Sequence, residues 1–183
     1  MTMPIYLYGT KIWSQPAKKV TKFDDKLVGL IKEMFETMYQ ADGIGLAANQ
    51  VGLPLSLAVI DLSAVEDFKN EKPLVVINPE LLEVDGEFVM EEGCLSVPGI
   101  REEVVRPDKI FVRFIDGNFK EVEREFTGMW ARVFQHEYDH LNLKFFVDRL
   151  NGVKRQLLKP KLARVRRGEF KTQYPSVSAK EEQ

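Results

Sequence analysis

Only two histidines occur in this chain, and they stand four residues apart in His136-Glu137-Tyr138-Asp139-His140. Four residues advance a helix by slightly more than one turn, so both imidazoles leave one face and can hold a single metal ion. Glu137 is turned from His136 by about 100°. It is poorly placed as a further ligand, but it can reach a water on the ion's open side and take its proton. Two ligands and a general base on one rigid element are what metal-assisted hydrolysis needs. The plainer alternative is a pair of helix histidines bonded to their neighbours.

Catalytic metal sites usually keep three protein ligands and one open position, and no third histidine remains. A carboxylate such as Asp148 or Glu169 would give a HExxH endopeptidase. Cys94, the only cysteine, would give a thiolate site. A lone cysteine excludes an internal disulfide and fits a reducing compartment, and it is most often a small buried hydrophobe. This one lies in Glu91-Glu92-Gly93-Cys94-Leu95-Ser96-Val97-Pro98-Gly99, where Gly and Pro mark a turn that lets backbone approach a bound group. Spacing favours the thiolate without deciding against the carboxylate. A thiol nucleophile paired with His136 would leave the second histidine without a purpose.

These residues must be carried by a scaffold of 183 residues, enough for one domain and cramped for two. With 44% hydrophobic and 30% charged residues the composition is that of a globular protein rather than a membrane or disordered one. No apolar run is long enough to span a bilayer. The first residues, MTMPIYLYGTKIWSQ, have neither a secretory nor a transit pattern, so the cytoplasm is expected. The net charge of −2 is unevenly spread: residues 150–171 hold eight Lys/Arg (Lys154, Arg155, Lys159, Lys161, Arg164, Arg166, Arg167, Lys171) against one acid, Glu169. Such a segment suits a polyanionic partner or, more plainly, a solvated helix face.

The patterning predicts an α+β fold. Short antiparallel strands should pack around a central helix that carries HExxH, with a further helix towards the C-terminus. Residues 24–40 repeat apolar positions at three-and-four spacing (Leu27, Leu30, Ile31, Met34, Phe35, Met38) and read as an amphipathic helix. A small-residue loop, 43–50, follows. Residues 55–61, 74–78, 81–84 and 87–90 read as strands, the last two joined in a hairpin by Asp85-Gly86. Residues 110–115 and 119–126 form a second hairpin around Asp116-Gly117-Asn118. Thr127 is placed to cap the HExxH helix. The last helix, starting at Leu150, should break or kink at Pro160 and resume near 161–167. Residues 1–172 are expected to form one catalytic domain, and 173–183 a disordered tail.

Three segments together, Gly43-Ile44-Gly45-Leu46-Ala47-Ala48-Asn49-Gln50, Glu92-Gly93-Cys94-Leu95-Ser96 and Gln135-His136-Glu137-Tyr138-Asp139-His140-Leu141, closely resemble the signature motifs of the peptide deformylases, in that family's order and at similar spacing. The resemblance runs from about Pro4 to Leu158. It implies removal of the formyl group from N-formylmethionine at the start of nascent bacterial or organellar polypeptides, with release of formate. It further implies one ion per chain, most typically Fe(II), with Zn, Ni or Co able to replace it. Cys94, His136 and His140 would be its ligands and Glu137 the general acid/base. The Gln50 side-chain amide and the Leu95 backbone N–H would face the developing oxyanion. Ile44, Met90, Met129 and Val133 would form the methionine pocket, although each is equally suited to core packing. Gly45 would offer main-chain contacts, and Arg101 would sit near the substrate's further residues. Glu92 and Arg106 would form a supporting ion pair.

Two places in the chain depart from the family pattern. Leu143 stands where many members have Gly, and Lys11-Ile12-Trp13-Ser14 replaces a commoner hydrophobic-Leu-Arg stretch. Val97-Pro98 and the helical C-terminus resemble the type 1 bacterial branch, in which a C-terminal extension contacts the ribosome in some members. The basic segment 150–171 is the corresponding candidate here. A non-catalytic ribosome-associated module is the remaining rival, and the presence of every expected ligand, the Glu and the Gln argues against it.

Overall fold

The computed structural model describes residues 2–182. Helix α1 (Asp25–Gln40) opens at Asp24, whose side chain accepts from Leu27 N at 3.1 Å, and buries Leu27, Met34 and Met38. Its apolar face packs on β2 (Gly45–Ala47) and β3 (Leu57–Ile60). These strands continue into a five-stranded antiparallel sheet with β4 (Leu74–Asp85), β7 (Lys109–Ile115) and β8 (Glu121–Thr127), in the order β2-β3-β4-β7-β8. β3 is buried along its whole length, which explains its unbroken run Leu57-Ala58-Val59-Ile60. Strands β5 (Phe88–Cys94) and β6 (Val97–Arg106) form a separate hairpin. Helix α2 (Gly128–Leu141) lies against β2, β3, β7 and β8, and α3 (Gly152–Arg166) against β6.

The expected arrangement of antiparallel strands around the HExxH helix is present, and four local expectations are corrected. The runs 74–78 and 81–84 are one strand, β4. A register shift between Ile77 and Glu80 absorbs Pro79, and Asn78 takes a positive φ of 50°, a conformation that Asn tolerates better than most residues. Asp85-Gly86 does not close a hairpin, because β4 pairs with β3 and β7 while β5 leaves to pair with β6. The turn chemistry is real, since Gly86 has a φ of 68°, but the non-local pairing with β7 takes the strand edge that a hairpin would have used.

Pro160 does not interrupt α3. A proline inside a helix costs roughly 3 kcal/mol, and burial of Leu158, Leu162 and Val165 on the same helix offsets it. Residues 173–182 are not a free tail. β9 (Ser176–Val177) pairs in parallel with β1 (Ile5–Tyr6), and Ile5 N and Leu7 N donate to Pro175 O and Val177 O, both at 2.9 Å. The exposed edge of β1 offers backbone donors that local pattern reading could not assign. Gln183 lies outside the described residues.

Candidate metal centre

Helix α2 follows directly on β8. Thr127 occupies its N-cap position, although its side chain makes no capping bond. The helix turns Ala131, Phe134 and Leu141 into the core of the large sheet and His136 and His140 towards the β5–β6 hairpin. Cys94 closes β5, where the register with β6 shifts between Gly93 and Cys94. That irregularity releases the chain into a turn and brings the sulfur to the histidines.

Cys94 Sγ is 3.2 Å from His140 Nε2, which is itself 3.2 Å from His136 Nε2. Two nitrogens bound to one tetrahedral ion at about 2.0–2.1 Å stand roughly 3.3 Å apart, so the donors have the spacing of a coordination site. Among the described residues these three form a group able to hold a metal ion. The tautomers agree. His136 Nδ1 donates to Glu92 Oε2 at 2.9 Å, and His140 Nδ1 donates to the Lys144 carbonyl at 3.1 Å. With both Nδ1 atoms protonated, both Nε2 lone pairs face each other and the sulfur, and only positive charge satisfies them. Burial alone would lower the His136 imidazole, but Cys94 and Glu92 outweigh it and raise it well above 6.5, while burial and the neighbouring His136 push His140 well below that value.

Glu92 is the hub behind the histidines. Its carboxylate accepts from Arg106 Nε (2.6 Å) and Nη2 (3.0 Å), from Arg132 Nη1 (2.8 Å) and from His136. Arg106 continues to Asp139 at 2.7 Å, which also receives Arg149 Nε at 2.5 Å and Nη2 at 2.7 Å. Burial would raise both carboxyls, but these hydrogen bonds prevail and hold each below its ordinary range. The expected Glu92–Arg106 pair is present. Pattern reading missed its link to His136 and the partners Arg132, Asp139 and Arg149. The spacing of Arg132 and His136, four apart on one helix face, was an available signal. It also missed Trp13, whose ring lies 5.3 Å from His140 and 4.3 Å from Phe145, and Asn49, which donates to the His140 carbonyl.

Glu137 is buried, and its Oε2 has no hydrogen-bond partner among the described residues. Burial raises its carboxyl to about 7, the range of a group able to take and return a proton. A Cβ on Gly45 would collide with Glu137 Oε1 and meet Val133 at 3.0 Å, so glycine is what lets the carboxylate lie against β2. Gln50 is held in one orientation: its Oε1 accepts from Ala47 N at 2.9 Å, and its Nε2 points to Ser96 Oγ (3.3 Å) and Cys94 Sγ (3.6 Å).

Gln50, Cys94, Leu95, His136 and Glu137 border one cavity of ≈ 780 Å³, and Ile44, Gly45, Met90, Arg101, Met129 and Val133 border it too. His140, with no exposed surface, lies beneath. Arg101 sits on the rim, its Nε 2.8 Å from Glu91 Oε1. Asp148 and Glu169, the carboxylate alternatives for a third ligand, are engaged elsewhere: Asp148 Oδ2 accepts from Phe145 N at 2.8 Å, and Glu169 pairs with Arg167 at 2.5 Å. An HExxH helix laid against an antiparallel sheet, with a cysteine sulfur beside both imidazoles in a group that could hold a metal ion, fits the class of metal-assisted hydrolases.

Comparison with known proteins narrows this class. Residues 2–156 match the polypeptide deformylase family. The peptide deformylase of Chlorobaculum parvum is 45% identical over 175 residues, 96% of this chain and 94% of that protein. The crystal structure of a peptide deformylase from Legionella pneumophila superposes with a TM-score of 0.82 at 40% identity, covering 92% of this chain and 98% of that one. The Thermotoga maritima peptide deformylase superposes at 0.76 with 43% identity, covering 82% of this chain and 99% of that one. The chain belongs to the peptide deformylase family. It removes the N-formyl group from the start of nascent polypeptides, an amide hydrolysis that releases formate.

Proposed function

We propose that Cys94, His136 and His140 hold one Fe(II) ion, with Zn, Ni or Co able to replace it. The observation that carries this reading is that Cys94 Sγ and His136 Nε2 each lie 3.2 Å from His140 Nε2, with both imidazoles fixed through Nδ1. Imidazole and thiolate suit either Fe(II) or Zn. A divalent ion held there would lower the pKa of a bound water, so that a nucleophile forms at neutral pH, and would polarise the carbonyl.

The remaining work falls to the chain's own groups. Glu137, with a free buried oxygen, takes the proton of the attacking water and returns it to the leaving amine. Gln50 Nε2, turned towards the site because Oε1 is tied to Ala47, donates to the oxyanion together with Leu95 N–H. Ile44, Met90, Met129 and Val133 receive the methionine side chain. β2 is an edge strand, and its Gly45 borders the cavity, so the substrate backbone can pair along it. Arg101 on the rim meets the residues beyond methionine. Residues 1–172 act as one catalytic domain.

The partner that presents the nascent chain is read as the ribosome, met in the cytoplasm through segment 150–171. On α3, Arg155, Lys159, Lys161 and Arg164 are exposed, beside Val153 and Leu157, which are 72% and 71% exposed. No helix among the described residues is long and apolar enough to cross a membrane.

The test is an anaerobic assay of formate release from formyl-Met-Ala-Ser with metal analysis on the same sample, since Fe(II) and the thiolate are both oxidisable. The expected result is one ion per chain and activity that disappears, with the metal, in Cys94→Ala. Retained metal and peptidase activity in that variant would sink the reading. Salt-sensitive cosedimentation with ribosomes, lost when Lys159, Lys161 and Arg164 are changed to Glu, checks the partner.

A further inference from the structure

Helix α3 ends in a Schellman turn: Gly168 N donates to Val165 O and Glu169 N to Arg164 O, both at 3.0 Å, with Gly168 at a φ of 68°. This reversal sends the following residues back over the β5–β6 hairpin. The Phe170 ring lies on Gly99, where any Cβ would collide with it. Phe170 through Tyr174 then border the cavity that holds Cys94 and Glu137, and β9 fastens the segment to β1. The strap follows the residues, 2–156, that match the family model.

The strap is hydrogen-bonded to the turn that follows Cys94. Tyr174 Oη donates to the Leu95 carbonyl at 2.7 Å. One residue further, the Ser96 carbonyl accepts from Tyr8 N at 2.8 Å, and Ser96 Oγ lies 3.3 Å from Gln50 Nε2. Cys94 fixes the entry to the turn, and Tyr174 fixes the peptide that leaves Leu95. We propose that Tyr174 is a positioning residue for deformylation: its hydroxyl holds the Leu95–Ser96 peptide so that Leu95 N–H stays aimed at the formyl oxygen as charge develops there. The inference rests on the reading of Leu95 given above. Burial, with the Cys94 sulfur nearby, raises the Tyr174 phenol, so it remains a donor throughout the working pH range. A donor acts on a transition state only as well as it is aimed before reaction begins.

Tyr174→Phe keeps the ring and removes only the hydroxyl. Formate release from formyl-Met-Ala-Ser should show kcat reduced by about tenfold with KM changed by less than about twofold. Metal content should be unchanged, and Tm should fall by no more than about 4 °C. Amide hydrogen exchange at Leu95 and Ser96 should quicken, a readout independent of turnover. An unchanged kcat overturns the proposal. A fall in kcat accompanied by metal loss or a larger drop in Tm also overturns it, because the hydroxyl would then serve general stability. A wild-type protein that binds metal but releases no formate would instead sink the reading on which the proposal rests.

Discussion

The carboxylate of Glu92 accepts from His136 Nδ1 at 2.9 Å while the same group is clasped by Arg106, a side chain with no exposed surface. The imidazole's tautomer and aim are therefore set by an ion pair that is itself buried. Glu92→Gln should weaken metal binding about 10- to 100-fold, as measured by competition with a chelator. It should also destabilise the fold by about 3–5 kcal/mol, because Arg106 loses one carboxylate partner in a dry site. Unchanged metal affinity would show that Glu92 serves the fold alone.

In the proposed reading Glu137 moves the proton while Cys94, His136 and His140 hold the ion, and Glu137→Ala separates the two roles. Formate release should fall by about 10²–10⁴-fold with metal content retained. Loss of metal in this variant would show that Glu137 belongs to the donor set.

Gly45 gives the Glu137 carboxylate its place. In Gly45→Ala the added methyl meets Glu137 Oε1 and Val133, so turnover should fall by at least about tenfold from displacement of the base. Thermal stability should change by no more than about 3 kcal/mol. Full activity would mean that the carboxylate does not need this position.

Leu143 ends the turn after α2 with a φ of 61°. A non-glycine residue in that conformation costs about 1–2 kcal/mol, and the greater freedom of glycine in the unfolded chain returns about half of this. Leu143→Gly should therefore raise stability by about 0.5–1 kcal/mol, seen as a higher denaturant midpoint. A lower midpoint would show that packing of the Leu143 side chain outweighs the backbone strain.

Acid should unfold the protein through the same network that aims His136. Glu92 and Asp139 are held below their ordinary values of 4.5 and 3.8 in the folded state. A depressed folded value means that their stabilisation is fully present above those ordinary values and is lost as pH falls towards the folded ones. Tm should drop as pH falls below about 4.5, and Asp139→Asn should shallow that drop. An equal slope in wild type and variant would remove Asp139 from the account.

Much of the site was legible in the sequence because it is local. The i, i+4 histidines and Glu137 ride on one helix, whose period is fixed by backbone geometry, and Thr127 marks its start. The α1 and β7–β8 patterns were legible for the same reason, since apolar spacing and turn chemistry act within a few residues. The third member of the donor group was not settled by spacing. Cys94 lies 42 positions before His136, and only the folding of β5–β6 against α2 shows that its sulfur, not Asp148 or Glu169, stands 3.2 Å from His140.

Other features were decided by the tertiary structure alone. Asp85-Gly86 carries a hairpin signal, but the pairing of β4 with β7 decides where β5 goes. Pro160 carries a break signal, but burial of Leu158, Leu162 and Val165 holds the helix together. Residues 173–182 carry no strong pattern, yet the open edge of β1 and the Leu95 carbonyl give them partners. In each case a local preference of a few kcal/mol met contacts between residues far apart in the chain. The local signal prevailed only where no such contact opposed it.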